Sequence, residues 1–299
     1  MGARGSAVAA AFLAAMVAVG FVAPGACEDN RSPRILRLQK IGGNPLSFPV
    51  DIAVDRKGVV FLLDSGIRAV GIYSPKGEFI REIQGKGAWR DPFAICVSPD
   101  GALFLADGES GRVLEMDFSG KIRREYHAGK NARITGVGLF GNSVYCVDNR
   151  NDKVIVFRRG EGRPDSWGKK GERPGEFHSP FRLAVDGGGR VFVTDVMNSR
   201  VQWFSAFGQH LGTLKRFGAG EGRLFRPSGI SLDNRGRIWV SDSYTGLVQL
   251  FEENGKHVLS LTTGDGGPHI FGDPVGLASA ADGVWVADQR ESRASLFRR

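Results

Sequence analysis

The 299-residue sequence predicts an all-β fold, a six-bladed β-propeller of four-stranded antiparallel blades. Three observations lead there: an aromatic motif ending in aspartate, a strand-and-turn grammar repeated around it, and no helical periodicity after the N-terminal stretch. The motif reads VFLLDSGIRAV, LFLADGESGRV, VYCVDNRNDKV, VFVTDVMNSRV, IWVSDSYTGLV and VWVADQRESRA. Its aspartates are Asp64, Asp107, Asp148, Asp195, Asp242 and Asp288, spaced 43, 41, 47, 47 and 46 residues apart. The second residue is always aromatic: Phe61, Phe104, Tyr145, Phe192, Trp239 and Trp285. Four strands in roughly 45 residues, repeated without helices, specify propeller blades.

Each unit opens with a proline (Pro49, Pro92, Pro180, Pro227, Pro274), except the third, where Ile134 stands. An alternating strand follows, as in FRLAVD or SGISLD, then a turn such as DRKG, SPDG, DGGG or DNRG. The aromatic strand ends at the aspartate, and a third strand ends at Tyr73, Met116, Phe157, Phe204, Phe251 or Phe297. A second turn (SPKG, SAFG, EENG) leads into an outer strand such as EFIREI or HLGTLKRF. Period-two alternation bounded by Gly, Asn, Asp and Pro is hairpin chemistry. The last unit stops at ASLFRR after three strands, and RILRLQKIGG (Arg34 to Gly43) has the look of the missing fourth. The N-terminal strand should therefore complete the last blade and close the ring, leaving no unpaired edge.

At 41% hydrophobic the chain can bury a large core, and its 43 glycines suit an all-β protein with many tight turns. Residues 1–27 read as a secretory signal: Arg4 in a short n-region, an apolar run from Ala7 to Ala23, then small residues up to Ala26. The propeller is then a single domain over residues 28–299, exported to a periplasmic or extracellular space. An uncleaved signal would be a membrane anchor. PGAC partly resembles a lipobox ending at Cys27, with Pro24 where an aliphatic residue is usual. Membrane attachment is expected only through one of these two routes. Cys96 and Cys146 sit in the apolar runs FAICVS and SVYCVD, so buried free thiols are expected rather than a bridge. The net charge of +8 would permit nucleic acid, but export removes that partner.

WGKKGERPGEFHSPFRLAVDGGGRVFVTDVMNSRVQWFSAFGQHL resembles an NHL repeat, with its glycine-punctuated lead, SP, D-x-x-G, V-x-D and N-x-R-V elements. FGAGEGRLFRPSGISLDNRGRIWVSDSYTGLVQLFEENGKHV is similar, with Thr245 and Leu247 in place of the Asn and Arg. The resemblance implies the propeller fold over residues 34–299. It does not choose among the roles such propellers have, which include RNA-binding regulators, extracellular sensor domains and a zinc-dependent amidating lyase. In that lyase family, histidines directly after the opening prolines hold the zinc. Here those positions are Val50, Phe93, Thr135, Phe181, Ser228 and Val275, so no metal or other cofactor is expected. The five histidines (127, 178, 210, 257, 269) are scattered, and no nucleophile triad or phosphate loop is recognisable.

In a four-stranded blade, the turn after the second strand shares a face, here called the top, with the link into the next blade. The six aspartates should be turn formers, accepting backbone NH groups two residues on. The aromatic row should be blade-to-blade packing. The basic residues of the top turns, Arg68, Arg112, Lys153, Arg200 and Arg293 with Arg150 and Arg290, either pair with neighbouring acids and carbonyls or form a cationic ring. Beside the central mouth, Asp51 and Arg182 should face each other across the ring. The candidate binding residues are Phe93, Phe181, Arg182, Asp51, Arg112, Arg200 and Arg293, with no catalytic residue assigned. The two phenylalanines depart from the mixed residues at their repeat position and could instead plug the channel. The reading is a monomeric exported propeller that binds or scaffolds a protein or peptide, anionic partners included, at the top mouth. The alternative is a lyase or hydrolase with its site at that mouth.

Overall fold

The computed structural model describes residues 35–262 and 267–298; the expected signal segment and Cys27 lie outside them. It contains six four-stranded antiparallel sheets arranged in a ring. The innermost strands are Pro49–Val54, Pro92–Val97, Ile134–Phe140, Pro180–Val185, Pro227–Leu232 and Pro274–Ala280, each beside its two neighbours around a central channel. The second strands all end at the motif aspartate: Val60–Asp64, Leu103–Asp107, Ser143–Asp148, Val191–Asp195, Ile238–Asp242 and Gly283–Asp288. This is the predicted architecture.

The ring closes as the sequence suggested. Blade six has three strands from the C-terminal region, and its outer strand is Ile35–Leu38, which runs antiparallel to Arg293–Arg298. The register pairs Ile35 with Phe297 and Leu38 with Ala294. A two-residue hairpin, Lys40–Ile41 with Asn44–Pro45, then carries the chain into blade one.

The core is divided among the six spaces between blades rather than gathered at the centre. Each aromatic of the motif fills one such space. Phe61 packs toward Ile95, Leu105 and Met116 of blade two, and Phe104 toward Val137 and Cys146 of blade three. Tyr145, Phe192, Trp239 and Trp285 repeat this around the ring. All six are fully or almost fully buried, each worth roughly 1.5–3 kcal/mol of transfer free energy. Cys96 and Cys146 are free thiols, and Cys146 is buried. Cys96 differs from expectation: it is only half-buried, because its inner strand borders the channel.

Candidate functional site

The polar wedge after each aromatic strand is a structural staple. Every motif aspartate is buried and reaches back to the link that enters its own blade. Asp64 accepts the backbone NH groups of Ser47 (2.8 Å) and Phe48 (3.0 Å), Asp107 those of Arg90 and Asp91, and Asp148 that of Arg133. Asp195 accepts His178 N at 2.7 Å, Asp242 accepts Phe225 N and Arg226 N, and Asp288 accepts Gly272 N and Asp273 N. The expected bond from two residues on occurs at Gly66 and Tyr244, but the link contacts are the recurrent ones. The fourth residue after each aspartate turns left-handed: Arg68, Gly111, Asp152, Ser199, Gly246 and Ser292, with φ between 45° and 69°. One turn geometry thus serves all six blades.

Arg112, Arg200 and Arg293 begin third strands, two strands out from the channel, while Arg68, Arg150 and Arg290 lie in the turns before them. Arg200 is buried. Its Nε donates to Asp195 at 2.7 Å, and its Nη groups donate to the carbonyls of Glu172, Arg173 and Glu176. Burial pushes the Asp195 carboxyl up, against the pull of Asn198, the His178 backbone and Arg200. Arg112 donates to Asp107, to Glu125 at 2.9 Å and to Ala88 O at 2.6 Å. Arg293 lies 3.7 Å from Glu291, and Arg150 is paired with Glu109 at 3.1 Å. Arg112 and Arg200 have their donors committed within the blades.

At the mouth itself the structure brings Asp51, Phe181 and Arg182 into one neighbourhood. Val50, Thr135, Ser228 and Val275 are buried there, while Phe93 and Phe181 are half-buried. The Phe93 ring occupies the space a side chain at Gly108 would need, with Arg133 over it at 4.8 Å, and Arg182 lies 4.8 Å from the centre of the Phe181 ring. Arg182, 4% exposed, reaches from blade four across the channel. It donates to Thr135 O of blade three and to Val50 O of blade one, the latter at 2.7 Å. Asp51 is buried beside it and accepts Ile95 N at 2.9 Å. Burial pushes the Asp51 carboxyl up while Arg182 pulls it down, and burial lowers Arg182 while Asp51 raises it.

Below this crossing, the channel widens into a cavity of about 610 Å³. Its walls are inner-strand residues of all six blades, Ala184, Leu232 and Ser279 among them. Arg56, Pro99, Asp100 and Gly187, from the turns between first and second strands, form its rim. The cavity therefore opens on the face opposite the top, with Asp51 and Arg182 as its floor.

On the top face, the sequence reading missed a ridge on blade five. The rings of Phe217 and Phe225 lie 5.6 Å apart and those of Phe225 and Tyr244 4.3 Å apart, with Arg226 6.0 Å above Tyr244. Phe217 is 61% and Tyr244 60% exposed, and the exposed Arg223, which donates to Phe217 O at 3.2 Å, and Arg226 flank them. The ridge rests on a firm link. Leu224 N donates to Arg216 O at 2.8 Å, and buried Gln249 accepts Gly222 N and donates to Arg223 O. A signal for it existed. Two residues before the opening position stand Ser47, Arg90, Ala132, His178 and Gly272 in the other blades, against Phe225 here.

These features define a six-bladed β-propeller containing an NHL repeat, whose family description matches residues 226–251 in blade five. A streptogramin B lyase structure is 12% identical, with a TM-score of 0.66 over 87% of this chain and 96% of that one. A catalytically inactive virginiamycin B lyase from Staphylococcus aureus with quinupristin is 14% identical, TM-score 0.63, over 85% of this chain and 82% of that one. A protein of unknown function from Bacteroides thetaiotaomicron VPI-5482 is 16% identical, TM-score 0.66, over 88% and 76%. At these identities the likeness is one of fold. Among the described residues, no three His, Cys, Asp or Glu side chains are grouped so as to hold a metal ion.

Proposed function

We propose that this chain is an exported, non-catalytic binding propeller that docks an acidic segment of a protein or peptide on its top face. The observation that carries this reading is the ridge of Phe217, Phe225 and Tyr244 beside Arg223 and Arg226. Its aromatics depart from the repeat, so the fold does not require them. Exposed rings next to guanidinium groups are the chemistry of interface hot spots. The arginines supply long-range attraction for carboxylates, which salt screens over about 10 Å at 0.1 M. Phe93 and Phe181 add apolar surface nearer the mouth. A fluorescent peptide alternating Glu and Tyr tests the reading by anisotropy at low and high salt. The wild-type protein should bind it, weakening with salt, while Phe225→Ser with Tyr244→Ala should lose it and a Lys/Tyr peptide should not bind. Equal binding by the variant would remove the ridge from the site.

The fold likeness to streptogramin B lyases favours a second reading, a lyase acting on a compound of that class. Loss of quinupristin on incubation with the protein, followed by chromatography, would support it. Under the binding reading the compound stays intact.

A further inference from the structure

We propose that the central cavity, on the face opposite the ridge, binds a free apolar α-amino acid, with Arg182 receiving its carboxylate and Asp51 its ammonium. The argument starts from Arg182. Its two terminal nitrogens are occupied by the carbonyls of Thr135 and Val50, yet its buried Nε has no hydrogen-bond partner among the described residues. A buried guanidinium N–H without an acceptor is costly, and a carboxylate is the acceptor that matches a guanidinium best. Arg182 lines the cavity floor, so a ligand in the cavity can reach it.

Asp51 sets the second requirement. It lines the same floor, and its carboxylate answers to Ile95 N rather than to a hydrogen bond from Arg182. The floor therefore presents one cation and one anion, both out of water and each held mainly by backbone. A simple anion would be repelled by Asp51 and a simple cation by Arg182. A molecule carrying both charged groups on one carbon satisfies each side without leaving a net buried charge. Burial pushes the Asp51 carboxyl up, and an arriving ammonium would oppose that push.

The walls define the rest of the ligand. Above the floor they are mainly aliphatic, with Val137, Leu183, Val185, Leu232 and Leu277 among them. The volume of about 610 Å³ falls within the range of small-molecule sites, roughly 300–1,000 Å³. An apolar side chain such as that of leucine or phenylalanine fits these walls, with the charged Arg56, Asp100, Arg159 and Asp186 also among the lining residues.

The test uses the folded chain with L-phenylalanine, 3-phenylpropionate and phenethylamine, followed by calorimetry and ligand-observed NMR. L-Phenylalanine should bind, with the des-amino and des-carboxy analogues at least tenfold weaker. Arg182→Met and Asp51→Asn should each abolish binding. Because either could disturb folding, Ala184→Phe supplies an independent check: it fills the cavity from the wall without touching the floor and should also block binding. Retained binding in Ala184→Phe, equal binding of either analogue, or no binding of L-phenylalanine or L-leucine at millimolar concentration would overturn the proposal. The ridge variant Phe225→Ser with Tyr244→Ala should bind the amino acid as wild type does, so the two sites can fail separately.

Discussion

Blades four and five are the two best copies of the repeat, yet they solve the same top turn differently. Both links are held by a buried glutamine, Gln202 in one and Gln249 in the other. In blade four, Arg200 fastens Asp195 to three link carbonyls, and Asn198 adds a bond to Asp195 at 2.9 Å. In blade five, Leu247 stands at the arginine position, and Asp242 is met by four backbone NH groups, of Phe225, Arg226, Tyr244 and Thr245. Blade four turns its polar side chains inward, whereas blade five holds its turn by backbone and presents aromatics outward. One geometry can thus be kept while its surface is released for recognition.

The comparison can be broken or sharpened by experiment. The largest effect should come from removing residues 28–43, because both blades presuppose a closed ring. The deletion exposes the edge of blade six, and a thermal melt should show a large fall in Tm. An unchanged melt would refute the clasp.

Next, Asp195→Ala should cost about 3–5 kcal/mol, since it leaves the Arg200 guanidinium buried without its counter-charge. Asp242→Ala leaves only backbone donors unpaired and should cost about 2–3 kcal/mol. Urea unfolding of the two variants side by side measures the difference, and equal losses would mean the blades are held alike.

Arg200→Leu copies the blade-five solution into blade four. Asp195 keeps its bonds from His178, Asn198 and Gln202, so a loss of about 2 kcal/mol is expected from the same unfolding curves. On the outward side, Phe225→Ser with Tyr244→Ala should change stability by no more than about 0.5 kcal/mol per site while abolishing acidic-peptide binding.

The smallest effect concerns pH. Burial, helped by Arg200, lowers the pKa of His210 below its ordinary 6.5. The unfolded chain then binds the proton first, so this stability is fully present above pH 6.5. It is lost as pH falls through the lowered folded value. His210→Gln should flatten the melting-temperature profile between pH 5 and 7, and Arg200→Leu should reduce the slope.

Much of this was legible because it repeats. Six aspartates at near-constant spacing gave the blade number, and the three-stranded last copy pointed to the clasp. The identity of the aspartates' partners was not legible, since the link NH groups lie 15–17 residues earlier in the chain. Nor was the direction of the cavity, which depends on how far the single Arg182 side chain reaches across the ring. Cys96 was placed in the core because its neighbours are apolar, but inner strands have one edge on the channel. The ridge was visible only by comparing blades position by position, since an aromatic two residues before a proline is unremarkable alone.

The clasp also sets an order of events. Ile35–Leu38 is among the first described segments to be made, and its partner, Arg293–Arg298, is the last. Hairpins within blades one to five can form as soon as their own residues are available, but the final blade must wait for Ile35–Leu38 and Arg293–Arg298 to meet. Such a distant pairing is entropically slow. Until it forms, the early strand is an open edge in search of a partner, and this is when a second, unfinished copy could capture it. Protection of Ile35–Leu38 until its partner strand is made would therefore raise the yield of folded protein.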